Sequence, residues 1–278
     1  MLTAKQKEER KLGIGGSDIS IILGLSNFKT PYELFLDKTS TEPQQDVMMP
    51  VQYWGHRLEP IIREEFELRN QVKVETPETQ VHPVYDYMRA NIDGFIRDWN
   101  SVFEAKCSGT FMSHEWGQDG SDIIPLSYLV QVAHYVSVMN ANEARIAVLI
   151  GGNDYREYIY TRDLQLESRV IDAAKEFWRC VQENDPPPAI NEDDLKLMFP
   201  ISKPEKKTEV NDKIIPTITS LSEVKAQMKQ LAELENQYRF EIMEHMKDSE
   251  CLIDSEGKNI VTWKANKKGS RSFLLKGF

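Results

Sequence analysis

Residues Val102-Phe103-Glu104-Ala105-Lys106 read as a strand whose apolar run is interrupted at every second position by a charge. Strand side chains alternate faces with period two, so Glu104 and Lys106 project from one face and Ala105 from the other. Eleven positions before Glu104, within Asn91-Ile92-Asp93-Gly94-Phe95, an aspartate stands at the head of another strand-like run. A hairpin between the two runs brings Asp93 to Glu104. Two carboxylates beside an ammonium make a ligand set for Mg²⁺, which takes oxygen ligands from one or two carboxylates together with substrate phosphates. The lysine can hold or deprotonate an attacking water, and that is the chemistry of phosphodiester hydrolysis. The same spacing also fits a surface hairpin with an i, i+2 ion pair, worth under about 1 kcal/mol.

The flanking segments bear on that choice. Leu58, Ile61, Ile62, Glu65 and Phe66 recur at spacings of three and four, which predicts an amphipathic helix over 56–69 with Glu59 beside its apolar face. A second helix, over 125–139, is apolar on most sides and therefore buried. Tyr128, Gln131 and Tyr135 fall on one stripe of it, and a buried polar stripe requires partners. A satisfied network of core hydrogen bonds would serve equally well.

Taken together, Arg10, Gly13-Ile14-Gly15-Gly16-Ser17-Asp18-Ile19, Gly55-His56-Arg57-Leu58-Glu59-Pro60, Ile92-Asp93-Gly94, Glu104-Ala105-Lys106 and Tyr128-Leu129-Val130-Gln131 resemble the ordered motifs of the YqaJ viral recombinase family. This is the lambda-exonuclease-like branch of the PD-(D/E)XK nucleases, and the resemblance covers about residues 8 to 162. It implies a Mg²⁺- or Mn²⁺-dependent deoxyribonuclease with two ions. Asp93, Glu104 and the carbonyl of Ala105 would hold metal, and Glu59 would serve the second ion. Lys106 would position the water, and Gln131 would orient Lys106 or the water. Arg10 and Ser17 have the seven-residue spacing of the pair that binds a terminal 5′-phosphate in such enzymes. Asn91 stands where that enzyme has a serine beside the DNA. The resemblance further implies 5′ to 3′ digestion of double-stranded DNA ends and 3′ tails for a single-strand annealing partner of the RecT/Bet type. It also implies a homotrimeric ring and a phage or prophage origin. A restriction-type endonuclease shares the same metal and lysine set. A non-enzymatic DNA- or partner-binding module is the other alternative.

The glycine-rich turn has a local reading as well. Ser17 is a suitable N-cap for a helix over 17–23, with Gly24 closing it. Thr30-Pro31-Tyr32-Glu33 is a capping box with proline at the first helical position. Further helices are expected over 31–38 and 164–183. Strands are expected at Val72–Glu75, Met88–Ile92, Gly94–Asp98, Val102–Lys106, Ala144–Ile150 and Arg156–Tyr160. These elements predict an α/β fold, a restriction-endonuclease-like core with a central mixed sheet flanked by helices.

The division expected is a nuclease domain over 1–200, a proline- and lysine-rich linker over 201–218, and an extension over 219–278 made of a long helix and a β-hairpin. A net charge of −10 argues against a passive nucleic-acid coat protein, whose affinity comes from many cations meeting phosphates. The tail differs, because Lys258, Lys264, Lys267, Lys268, Arg271 and Lys276 follow Glu256 without an intervening acid. Cys107, Cys180 and Cys251 are odd in number and lack metal-like spacing, which suits a reducing cytoplasm. No signal peptide or spanning apolar run is evident, so no membrane association is expected.

Overall fold

A computed structural model describes residues 10–40, 49–267 and 269–276. Lys268 of the basic tail lies outside the described residues. The chain divides into two compact units, Met1–Ile201 and Ser202–Phe278.

The first unit is built on a four-stranded mixed sheet, β3(Gly94–Ile96), β4(Ser101–Ser108), β5(Glu143–Ile150) and β6(Asp154–Thr161), in that spatial order. β4 and β5 are parallel and the outer pairings are antiparallel. A parallel pair needs a crossover, and α4(Leu126–Met139) supplies it. The period-two pattern sorts β4 and β5 onto two faces. Val102, Ala144, Ile146, Val148 and Ile150 pack with α1(Gly16–Ile22), α4 and α5(Leu164–Glu183). Phe103, Ala105 and Ala147 pack on the other face with Ile62 and Phe66 of α3(Pro50–Asn70). A small second sheet joins β1(Gln80–Val81) and β2(Arg89–Ala90), and α2(Pro31–Thr39) and α6(Glu192–Met198) complete the unit.

Several boundaries differ from the sequence reading. Val72–Glu75 forms only a single bridge, from Glu75 to Phe95. The run Gly94–Asp98 stops after three strand residues. Arg97–Trp99 winds into a 3₁₀ turn and Asn100 adopts the left-handed conformation with φ of 47°. Asparagine tolerates that region better than most residues. The capping box at Thr30 forms as read, with the Thr30 hydroxyl accepting from the Glu33 N–H and Glu33 accepting from the Thr30 N–H. Ser17 is not a cap. Gly15 is the N-cap of α1, Asp18 accepts from the Gly15 N–H at 3.0 Å, and Ser17 lies exposed within the helix.

The second unit holds α7(Ile215–Met246), 32 residues long and beginning inside the stretch read as a linker. β7(Cys251–Ile253), β8(Asn259–Ala265) and β9(Arg271–Leu275) follow as a three-stranded antiparallel sheet, one strand more than the hairpin expected. Arg271 does not belong to a free basic strip. It donates to the carbonyls of Trp263, Lys247 and Ser249, and its guanidinium lies 3.6 Å from the centre of the Trp263 ring. No helix among the described residues is long and apolar enough to cross a membrane.

Candidate active site

The site lies where β3 ends. β3 pairs with β4 only as far as Gly94 opposite Phe103, so the edge of β4 is open from Glu104 onward. Asp93, one residue before β3, fills the position that a longer strand would occupy. Its Oδ2 accepts the Ala105 N–H at 2.9 Å. The N–H and C=O of one strand residue leave on the same side, so the Ala105 carbonyl also faces the open edge.

Gly94 allows this approach. A Cβ there would stand 2.1 Å from Val74 Cγ1 and 3.3 Å from the Glu75 carbonyl, far inside van der Waals contact. Val74 is itself buried and cannot swing away. Gly94→Ala is expected to cost about 1–3 kcal/mol, the usual range for overpacking. Chemical denaturation checks it, with Gly94→Ala/Val74→Ala recovering part of the loss. A Gly94→Ala protein as stable as the parent would mean that the loop shifts freely.

On the α4 face, Glu104, Lys106 and Gln131 form a closed triangle. Glu104 Oε1 accepts from Lys106 Nζ at 2.6 Å and from Gln131 Nε2 at 2.9 Å, while Lys106 Nζ also donates to Gln131 Oε1 at 3.1 Å. Gln131 Nε2 donates in addition to the Tyr135 hydroxyl at 3.1 Å. Lys106 Nζ lies 4.8 Å from the centre of the Tyr128 ring, which stacks on Trp116. The polar stripe on α4 thus finds its partners on β4.

Glu104 is 3% exposed, and its second oxygen, Oε2, is buried without a hydrogen-bond partner. Burial, reinforced by the charge of Asp93, pushes the Glu104 carboxyl up to about 8, against the pull of Lys106. Burial also raises Asp93, and burial together with Asp93 raises Glu59. For Lys106, burial lowers the value, but Glu104 and Asp93 outweigh it and hold the ammonium above its ordinary range. Lys106 therefore keeps its proton, because the acids that face it outweigh its burial. Three carboxyls raised by burial, two of them also by the charge of Asp93, with a buried oxygen left over, mark a site short of positive charge.

Glu59 enters from α3, on the opposite layer, over the open edge. It is half-buried and lies 3.8 Å from His56 Nδ1. Arg63, one helical turn further, donates to the Asp93 carbonyl at 3.4 Å. His56 and Arg63 were not singled out from the sequence. The signal was present, since positions 56, 59 and 63 share one stripe of the helix. Arg10, Ser17 and Asn91 are exposed and make no part of the triangle.

The glycine-rich turn is nonetheless fixed beside it. Lys38 Nζ donates to the carbonyls of Arg10 and Gly13 and to Asp18 Oδ2, at 2.6, 2.8 and 2.6 Å. A Cβ at Gly16 would lie 2.4 Å from the Tyr135 ring. The turn therefore rests directly on the residue that hydrogen-bonds Gln131.

Among the described residues no three His, Cys, Asp or Glu side chains close into a ready metal cluster. The donors present still fit a hard divalent cation. The orphaned Glu104 oxygen, the Asp93 carboxylate and the Ala105 carbonyl are all oxygens, as Mg²⁺ requires, and a metal of this kind keeps several waters.

A sequence model of the YqaJ-like viral recombinase domain matches residues 6–142. The uncharacterised protein YqaJ of Bacillus subtilis (strain 168) is 36% identical over 254 residues, which is 87% of this chain and 77% of that one. Among solved structures, the alkaline exonuclease LHK-Exo from Laribacter hongkongensis is similar with a TM-score of 0.53 at 14% identity, over 65% of this chain and 94% of that chain. LHK-Exo in complex with dAMP is similar with a TM-score of 0.54 at 16% identity, over 66% and 94%. At that identity the structural likeness concerns the fold, an α/β core with a mixed central sheet. With the profile spanning the glycine-rich turn through α4, and a relative matched over most of its length, the chain belongs to the YqaJ-like viral recombinase family.

Proposed function

We propose that this chain is a metal-dependent exonuclease that digests linear double-stranded DNA from 5′ ends and leaves 3′ tails for a single-strand annealing partner. The observation that carries the reading is the buried Glu104–Lys106–Gln131 triangle, with one Glu104 oxygen free beside Asp93. Asp93, Glu104 and the Ala105 carbonyl would hold Mg²⁺ or Mn²⁺, and Glu59 would contribute toward a second ion. The metal, when bound, supplies Lewis-acid charge and a more acidic water. Lys106 keeps its proton at neutral pH, so its role is to hold a water and meet developing negative charge rather than to act as a base. Gln131 fixes the direction of Lys106 by accepting from it while donating to Glu104. Arg10 and Ser17, on a turn anchored by Lys38, would take the terminal phosphate, with Asn91 near the strand.

The test is a substrate series with Mg²⁺. Linear 5′-phosphorylated duplex is expected to be degraded from its ends, closed-circular duplex to survive, and 5′-hydroxyl duplex to be cut more slowly. Arg10→Ala is expected to slow the phosphorylated substrate about tenfold, as for loss of a hydrogen bond to a charged group, and the hydroxyl substrate much less. Internal cuts in circular DNA would point to an endonuclease, and no cleavage of any substrate would remove the enzymatic reading.

Metal binding has its own readout in thermal stability. The folded value of Glu104, about 8, lies above its ordinary 4.5. The proton on Glu104 therefore favours the folded state. That contribution is complete below about pH 4.5 and fades as pH rises through the folded value near 8. A cation competes with this proton for the same oxygens. The rise in Tm on adding Mg²⁺ should accordingly be larger at pH 8.5 than at pH 6. An equal rise at both, or a larger one at pH 6, would count against Glu104 as a ligand.

A further inference from the structure

The second unit carries a feature that hydrolysis does not use. α7 is 32 residues long, yet Met246 is its only buried residue. Leu221, Val224, Met228, Leu231, Tyr238 and Ile242 follow steps of three and four across three heptads, with Glu235 at the one intervening seam position. Leu221, Met228, Leu231 and Tyr238 are 55%, 64%, 64% and 53% exposed. A lone helix draws little stability from propensity, and a helix of this length depends on covering such a stripe. A 3.5-residue period is that of two helices wound around one another.

The charges along α7 choose among partners. Its first half carries Lys225 and Lys229 against Glu223. Its second half carries Glu233, Glu235, Glu241 and Glu244 against Arg239. One half is mildly basic and the other acidic, so the helix is complementary to its own reverse. A parallel pair would stack acidic half on acidic half. In an antiparallel pair that sets Met228 opposite Leu231, Leu221 falls opposite Tyr238 and Val224 opposite Glu235. Lys225 of each copy then meets Glu235 of the other. The single acid in the seam thereby gains a cation from the second copy, and a lone polar seam residue commonly fixes register and orientation.

We propose that α7 is a self-association surface that pairs antiparallel with α7 of a second copy of this chain. The inference is independent of the nuclease reading, since it uses none of the residues around Glu104.

Full-length protein grown on ¹⁴N and on ¹⁵N, mixed and treated with a carbodiimide, provides the test. This reagent joins a lysine to a carboxylate only in direct contact. Within one helix Lys225 and Glu235 are ten residues apart, about 15 Å along the axis, so they cannot be joined inside one chain. The expected product is a Lys225–Glu235 link in peptides of mixed isotope composition. Leu231→Glu is expected to reduce that product by more than about tenfold, the factor for 1.4 kcal/mol in pairing, and Met228→Leu to preserve it. Mixed-isotope links from Lys225 to another acid of α7 in place of Glu235 would establish a different register or orientation. Links from Lys225 into residues 10–201 would show that the chain covers its own stripe. Absence of any mixed-isotope link in α7 would show no self-association there. Each of these three outcomes overturns the proposal.

Discussion

Asp93→Asn and Glu104→Gln are each expected to reduce DNA hydrolysis by on the order of 10³-fold or more. A divalent cation supplies several kcal/mol of charge stabilisation, and about 4 kcal/mol corresponds to that factor. Both substitutions keep the size of the side chain, so the loss would reflect charge rather than packing. Glu104→Gln should leave the fold intact or firmer when metal is absent, because the buried Glu104 oxygen has no partner and its charge is disfavoured there. Duplex binding in Ca²⁺ should survive in both variants. The measurement is single-turnover cleavage of linear duplex beside a binding assay. Turnover within tenfold of the parent in either variant would remove these carboxylates from the chemistry.

Lys106→Met is expected to lower the cleavage rate by on the order of 10²-fold, the lower end for removal of one preorganised stabilising group. It should not abolish the Mg²⁺-induced rise in Tm, which depends on the carboxylates. The pairing of results is what discriminates. A loss of the metal response together with the rate would mean that Lys106 acts by organising Glu104, with which it shares a 2.6 Å contact. A normal rate would mean that the ammonium is only a counter-charge for the buried acid. Gln131→Leu offers an internal comparison, since it removes the group that holds Lys106 in place and leaves the ammonium itself.

The centre of the site was legible because it obeys simple periodicities. Alternation in Val102–Lys106 puts Glu104 and Lys106 on one face, and the helical stripe through Gln131 must then meet them. The rim was less legible. The run Gly94–Asp98 has strand composition throughout, and nothing local announces that Arg97–Trp99 will wind into a 3₁₀ turn. Ser17 has the chemistry of a cap, but Asp18 supplies the acceptor to Gly15, and the helix starts earlier as a result. The third strand of the C-terminal sheet, Arg271–Leu275, is short and takes its pairing from β8 rather than from its own pattern. Arg271 is one of six basic residues that follow Glu256 without an acid, and its donors are taken by three backbone carbonyls. Tertiary partners decide such cases, and composition does not contain them.

The shortness of β3 has one more consequence. A sheet edge with unpaired backbone groups recruits strands from other molecules, and proteins blunt such edges with charges or short strands. Here the carboxylate of Asp93 occupies the Ala105 N–H that a foreign strand would seek. The same acid proposed to bind metal thus also takes up one backbone donor of the open sheet edge.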